Sequence, residues 1–167
     1  MTTNMEKQTI IMGIDPGTII TGYGIIQVQS NSYLPIDFGC IKPPNKLALE
    51  KRYLIIFNAL EELIRKFSPT AFVIETQFVK NNPAVAIKLG MARGVAVLAA
   101  TKNNIPVFEY APKKAKLAVV GHGQASKHQV KKMIQAILKI PNNLPQDAAD
   151  ALSLAICHTH IMNNKRS

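Results

Sequence analysis

The stretch from residue 9 to residue 28, Thr-Ile-Ile-Met-Gly-Ile-Asp-Pro-Gly-Thr-Ile-Ile-Thr-Gly-Tyr-Gly-Ile-Ile-Gln-Val, decides how this chain folds. A Pro-Gly turn signal divides it into two apolar, β-branched runs, which predicts strands over Thr9–Asp15 and Thr21–Val28. A third strand is predicted over Tyr33–Ile41, after an Asn-Ser turn and either weakened or bent at Pro35. Connections this short cannot contain crossovers, so we expect an antiparallel meander.

Beyond the meander, helical patterns alternate with short apolar runs. Strands are predicted over Ala71–Glu75 and Ile105–Glu109, and helices over Lys46–Phe67, Ala84–Thr101, Pro112–Val120, from a cap at Ser126 through Leu138, and Gln146–His160. This order adds two crossover units to the meander, so we expect an α/β fold with a mixed five-stranded sheet flanked by helices. We expect residues 1–167 to form a single domain, with residues 1–8 and 162–167 as disordered tails.

The composition favours a polyanionic partner. The chain carries 20 Lys+Arg against 10 Asp+Glu, a net charge of +10, and its basic residues concentrate between Lys113 and Lys139. Nucleic acid is the favoured partner and an anionic membrane the alternative. We find no apolar stretch near the roughly 20 residues that cross a membrane, so we expect no membrane partner. Two cysteines give no disulfide framework, and we expect a cytoplasmic protein.

Four acidic residues occupy positions that suit a metal site. Asp15 and Glu75 end predicted strands, and Asp147 and Asp150 stand three apart, on one face of the last helix. If the two strands are neighbours, the helix pair can complete a cluster that requires cations, and carboxylates select Mg²⁺ or Mn²⁺. Two such ions support phosphodiester hydrolysis. Each acid taken alone also has a structural explanation: Asp147 as a helix-start residue, and Asp15 as a turn residue.

Several separated motifs resemble the RuvC family of bacterial Holliday junction resolvases. They occur in the family's order between Ile10 and His160: Gly-Ile-Asp-Pro-Gly-Thr, Thr-Gly-Tyr-Gly-Ile-Ile, Val-Ile-Glu-Thr-Gln-Phe, Ala-Ile-Lys-Leu-Gly-Met-Ala-Arg-Gly-Val-Ala, Val-Phe-Glu-Tyr-Ala-Pro, Val-Val-Gly-His-Gly-Gln-Ala-Ser-Lys and Asp-Ala-Ala-Asp-Ala-Leu. The resemblance implies a ribonuclease-H-like fold, which agrees with the predicted strand order.

The resemblance also implies a function for the acidic residues. Asp15, Glu75, Asp147 and Asp150 would be the catalytic metal ligands, with two Mg²⁺ ions per subunit and Mn²⁺ as a substitute. A homodimer would place two sites on a four-way DNA junction and resolve it by paired symmetric nicks in strands of like polarity. The family acts in recombination and DNA repair, beside the branch-migration proteins RuvA and RuvB.

Further positions gain a role from the same resemblance. Lys116 and Lys127 align with positions that contact DNA, where they would neutralise phosphates, although a solvated helix face is the alternative. Phe78 would stack on an unpaired base at the junction centre, with core packing as the alternative. Gly90 and Gly94 lie four apart on a predicted helix, and close packing should compensate for their low helix propensity. That packing could be a dimer seam or a contact with the protein's own sheet.

Two other function classes remain at this point. The sugar-kinase and actin ATPase fold also opens with a Gly-Ile-Asp type of strand and turn, but it requires a second phosphate loop and a larger, two-lobed chain. A non-catalytic junction-binding protein is disfavoured because all four acidic positions are filled.

Overall fold

The computed structural model describes residues 9–30, 32–76 and 82–164 of the 167-residue chain. A five-stranded sheet has the order β3-β2-β1-β4-β5, with β1 at Thr9–Asp15, β2 at Thr21–Gln29, β3 at Ser32–Ile41, β4 at Ala71–Glu75 and β5 at Val107–Tyr110. The first three strands pair antiparallel, whereas β4 pairs parallel with both β1 and β5. This confirms the predicted meander followed by two crossovers.

The helices also follow the predicted order. They are α1 at Leu49–Phe67, α2 at Pro83–Lys102, α3 at Pro112–Val120, α4 at Lys127–Leu138 and α5 at Gln146–Asn164. Helix α1 begins later than predicted because the Leu47 amide donates to the Pro44 carbonyl in a preceding turn, at 3.1 Å. Helix α5 continues to Asn164, so residues 162–164 are helical and not part of a tail.

Two strand features have local causes. The register between β2 and β3 shifts at Ile25 and Ile26, opposite Pro35, which confirms the predicted bend. Strand β5 begins later than predicted because the Ile105 amide donates to the Ala100 carbonyl at the end of α2, at 3.0 Å, and it ends later because Tyr110 still pairs with Glu75. Ile105 therefore belongs to the C-terminal cap of α2 and not to β5.

Two hydrophobic cores lie on opposite faces of the sheet. One lies beneath α1 and α2 and includes Ile14, and the other lies beneath α3, α4 and α5. Helix α5 lies close to β1 and β2 because glycines stand beneath it. A Cβ at Gly13 would collide with the Ala151 carbonyl, and one at Gly22 would collide with the backbone of Asp147. These two glycines therefore set how closely the N-terminal part of α5 approaches the end of β1.

Helix α2 corrects the expectation about apolar stretches. Within its 20 residues, Pro83–Lys102, an 18-residue window has a mean hydropathy of 1.5, which by length and composition would suffice to cross a membrane. Only 22% of that stretch is buried inside the protein. Its apolar character comes mainly from Val, Ile, Leu and Met residues, but Lys88 and Arg93 interrupt the run, so a search for an uninterrupted apolar stretch overlooks it. A helix of this kind exposes an apolar face that a partner surface can cover.

Candidate active site

The sheet and α5 bring the predicted carboxylates to one place. Asp15 and Glu75 follow Ile14 and Ile74, which are register partners in the parallel β1–β4 pair, so both acids emerge at the same sheet edge. Asp15, Glu75 and Asp150 line one cavity of about 270 Å³, together with Lys116 and Lys127. Asp147 does not line this cavity, but its charge acts on Asp15 from the first turn of α5.

Burial and mutual repulsion dominate the electrostatics of this cluster. Burial, and then the charges of Glu75, Asp150 and Asp147, raise the pKa of Asp15 to about 7. Burial, and then the charge of Asp150, also raise the pKa of Glu75, while Lys127 and Lys116 oppose that rise. The cluster therefore holds more negative charge than its surroundings compensate, which is the condition that favours binding of a cation.

Two lysines also line the cavity, Lys116 from α3 and Lys127 from the start of α4. A capping box at Ser126 fixes the first turn of α4, because Ser126 and Gln129 bond each other's backbone amides. This places Lys127 so that its Nζ donates to Asp150 Oδ2 at 3.0 Å. That hydrogen bond is the main cause of a raised Lys127 pKa, so the ammonium stays charged.

The donor set fits a hard divalent cation, although the side chains do not yet converge on one. All four acids offer oxygen ligands of the kind that Mg²⁺ and Mn²⁺ prefer. Within the described part of the chain, no three His, Cys, Asp or Glu side chains already stand as ligands of one ion. Asp150 is instead held by Lys127 and by Gln146, whose Nε2 donates to Asp150 Oδ1 at 3.0 Å. Binding would therefore require side-chain rotations within the cavity.

Comparison with known proteins assigns this chain to a family. The model of the family described as "Crossover junction endodeoxyribonuclease RuvC" matches residues 11–158. A protein of that name from Protochlamydia amoebophila is 54% identical over 165 residues, or 98% of each chain. One from Chlamydia trachomatis serovar L2 is 49% identical over 156 residues, covering 91% of this chain and 92% of its own. This chain belongs to the RuvC family.

Solved structures agree with that assignment. The structure described as "T. thermophilus RuvC in complex with Holliday junction substrate" matches with a TM-score of 0.88 at 30% identity, covering 94% of this chain and 96% of the other. The yeast mitochondrial resolvase Ydc2, at 16% identity and a TM-score of 0.64, shows a shared fold only. The ribonuclease-H-like resolvase fold is confirmed. RuvC membership makes the protein a crossover junction endodeoxyribonuclease, and it rejects both the ATPase and the non-catalytic alternatives.

The structure tests the other predicted positions of this RuvC-family chain only in part. Phe78 lies outside the described residues, so its role remains a prediction. Gly90 and Gly94 are exposed on α2, and a Cβ at either position would meet no described atom within 4 Å beyond the local helix backbone. The alternative that these glycines pack on the protein's own sheet is therefore wrong. The dimer alternative stays a prediction.

Sequence reasoning missed two residues that organise Asp150. Gln146 stands four residues before Asp150 on the same helix, which is the spacing at which side chains meet. The four-residue spacing could therefore have predicted the hydrogen bond between Gln146 and Asp150. Ser153 lines the cavity and its hydroxyl donates to the Asp150 carbonyl at 2.6 Å. A serine three residues along a helix is too common a pattern to have predicted this contact.

Proposed function

We propose that this protein resolves four-way DNA junctions by metal-assisted phosphodiester hydrolysis at the cluster of Asp15, Glu75, Asp147 and Asp150. The observation that carries the proposal is the grouping of Asp15, Glu75 and Asp150 around one cavity, where burial and then the charges of the neighbouring acids raise the pKa of Asp15 to about 7. A protein with a net charge of +10 has no ordinary reason to concentrate acids in a cavity. Bound cations would offset the repulsion between these acids, which explains why they are clustered.

Each group in the cavity has a separate part in the proposed chemistry. Two Mg²⁺ ions, or Mn²⁺ in their place, would supply charge neutralisation for attack of water on the scissile phosphodiester. Asp15, Glu75, Asp147 and Asp150 would hold them. Lys127 would leave Asp150 when cations bind there, and its ammonium would then be free to contact a phosphate oxygen. Lys116, on the same wall, would neutralise the adjacent backbone phosphate.

Four-way junction DNA is the proposed substrate. The printed description of the Thermus thermophilus relative names a Holliday junction substrate in its complex, and that chain matches almost the whole of this one. The basic helices α3 and α4 border the carboxylate cavity, so a DNA backbone entering the cavity would meet lysines on its way. Phe78, three residues beyond Glu75 in the chain, would stack on a base at the junction centre.

A homodimer built on α2 is part of the same proposal. Ile87, Met91 and Leu98 are 64%, 52% and 58% exposed and lie on one helical face with Gly90 and Gly94. Glycines without side chains in that face would let a second copy of α2 approach closely. A two-fold axis there would give two equivalent cavities, as paired symmetric nicks in strands of like polarity require.

The cellular setting of the proposal rests on family likeness alone. Resolution of junctions would serve recombination and DNA repair in the cytoplasm, beside the branch-migration proteins RuvA and RuvB. No membrane partner is proposed, because the apolar face of α2 is assigned to the second subunit.

A junction cleavage assay tests the proposal. Purified protein is incubated with a synthetic mobile four-way junction and Mg²⁺, with each strand end-labelled in turn, beside Asp15→Asn. We expect wild type to nick two opposed strands of like polarity at symmetric positions. We expect Asp15→Asn to bind the junction without cutting it. Equal cutting by Asp15→Asn, or nicks confined to one strand, would contradict the carboxylate role or the paired-site role respectively.

A further inference from the structure

Arg52 is a buried charge on the side of the sheet away from α5. It belongs to α1, only 8% of it is exposed, and its guanidinium donates to the carbonyl oxygen of Thr18. Its Nε is fully buried without a hydrogen-bond partner among the residues that the structure describes. The ion pairs found in those same residues do not include Arg52. A buried guanidinium without a carboxylate is unfavourable, so its presence requires an explanation.

Arg52 contacts the loop that follows Asp15 in the chain. Thr18 lies three residues after Asp15, between β1 and β2. The loop is closed internally, because the Thr21 hydroxyl donates to the Gly17 carbonyl at 2.9 Å and accepts from the Gly17 amide at 3.3 Å. A Cβ on Gly17 would collide with the Ile20 carbonyl, so the loop is also tight. Arg52 adds the contact that ties this closed loop to a helix.

The geometry of the sheet links that contact to the acidic cluster. Side chains alternate along β1, so Ile14 points into the core beneath α1 while Asp15 points towards α5. A shift of the loop at Thr18 would rotate the end of β1 and turn the Asp15 carboxylate away from Glu75 and Asp150. A planar guanidinium with five donors restricts such rotation better than an apolar side chain, which would offer the Thr18 carbonyl nothing.

We propose that Arg52 is a positioning residue that holds the loop after Asp15, so that the Asp15 carboxylate faces the other acids and binds metal. This inference rests on the proposed role of Asp15 as a metal ligand. A merely structural role for Arg52, as an anchor between α1 and the sheet, would change stability but would leave the metal affinity of the folded protein unchanged.

The test compares metal affinity with stability in the full-length protein. Mn²⁺ affinity is measured by calorimetry, the melting temperature in EDTA, and junction cleavage as a function of Mg²⁺ concentration. We expect Arg52→Met to lower the Mn²⁺ affinity by about 10-fold, the lower end of the roughly 10-fold to 100-fold loss typical of groups that bond a metal ligand directly, because Arg52 acts on Asp15 through Thr18. Excess Mg²⁺ should then restore cleavage. Arg52→Lys retains one donor for Thr18 and should fall between Arg52→Met and wild type.

A matched control lies on the same helix. Arg65 is exposed in the last turn of α1, far along the chain from the loop, and Arg65→Met removes the same charge. We expect Arg65→Met to bind Mn²⁺ as wild type does. Wild-type Mn²⁺ affinity in folded Arg52→Met would overturn the inference. If Arg52→Met does not fold, Arg52→Lys decides: weaker Mn²⁺ binding supports the inference, and wild-type binding overturns it.

A further variant separates this inference from the proposed function. Asp15→Asn should lose most Mn²⁺ binding. Wild-type binding by Asp15→Asn would remove the metal role of Asp15 and with it the basis of the Arg52 inference. Loss of binding in Asp15→Asn, with unchanged binding in Arg52→Met, would leave the proposed function standing and remove only the role of Arg52.

Discussion

Helices α5 and α2 are apolar helices of nearly equal length, 19 and 20 residues, on opposite faces of the sheet, yet the protein buries them very differently. Every residue from 151 to 159 in α5 is buried, whereas α2 buries only Ala92, Ala96, Ala99 and Ala100. Helix α5 is enclosed along this middle stretch and carries two carboxylates at its start. Helix α2 leaves one apolar face exposed. Apolar composition therefore accompanies a buried helix with two of the predicted site carboxylates in one case, and an exposed apolar face in the other.

The largest expected effect is a dependence of stability on pH, since Asp147 and Asp150 of α5 lie near Asp15 at the end of β1. The folded-state pKa of Asp15 is about 7, above its ordinary value of 3.8, so the folded protein binds a proton more tightly than the unfolded chain does. Metal-free stability is therefore full below about pH 4 as far as Asp15 is concerned, and is lost as the pH rises towards 7. The loss reaches at most about 4 kcal/mol. Urea unfolding in EDTA at pH 5 and pH 8 should detect roughly 2.5 kcal/mol of this loss, because part of it has already occurred at pH 5.

Two controls accompany this pH experiment. Asp15→Asn should remove most of the difference in stability between pH 5 and pH 8, because the amide does not titrate. Mg²⁺ should restore the stability of wild type at pH 8 by binding the ionised carboxylates. Stability that rises from pH 5 to pH 8 in EDTA would contradict the buried, mutually repelling cluster.

The next effect tests the close contact between α5 and β1. Gly13→Ala places a methyl group against the Ala151 carbonyl, so we expect a loss of about 3 kcal/mol in the free energy of unfolding. The shift of α5 should also weaken Mn²⁺ binding, since Asp147 and Asp150 move with the helix. Urea denaturation and calorimetry measure the two effects. A neutral substitution would show that α5 can move away without consequence, and the contrast with α2 would then lose its structural basis.

An intermediate effect tests the exposed face of α2. Met91→Asp should weaken the dimer, because burial of a methionine contributes about 1.5–3 kcal/mol, or roughly 10-fold to 100-fold in the dimer dissociation constant. Sedimentation equilibrium measures that constant. Leu34→Asp is the control, since Leu34 is 48% exposed but lies on the edge strand β3. Equal weakening by both variants would mean that the subunits meet elsewhere.

The sequence predicted the fold and the acidic cluster because both depend on local signals. Turn residues and β-branched runs place the strands, and strand ends then place Asp15 and Glu75 on adjacent strands. The sequence could not distinguish α2 from α5, since hydropathy does not record what covers a helix. The contact of Arg52 with Thr18 joins residues far apart in the chain, and no periodicity encodes it. Long-range polar contacts of this kind emerge only from the packed structure.

The smallest effect gives the sharpest comparison between the two helices. Gly90→Ala adds a methyl group that meets no described atom within 4 Å beyond the local helix backbone, the reverse of Gly13→Ala. In the dilute, monomeric protein the gain in helix propensity should stabilise the fold by about 1 kcal/mol. In the concentrated dimer the same methyl group should separate the two α2 helices and cancel that gain. Urea unfolding at two protein concentrations measures the difference. A gain that is independent of concentration would place Gly90 outside the seam, and the exposed apolar face of α2 would need another partner.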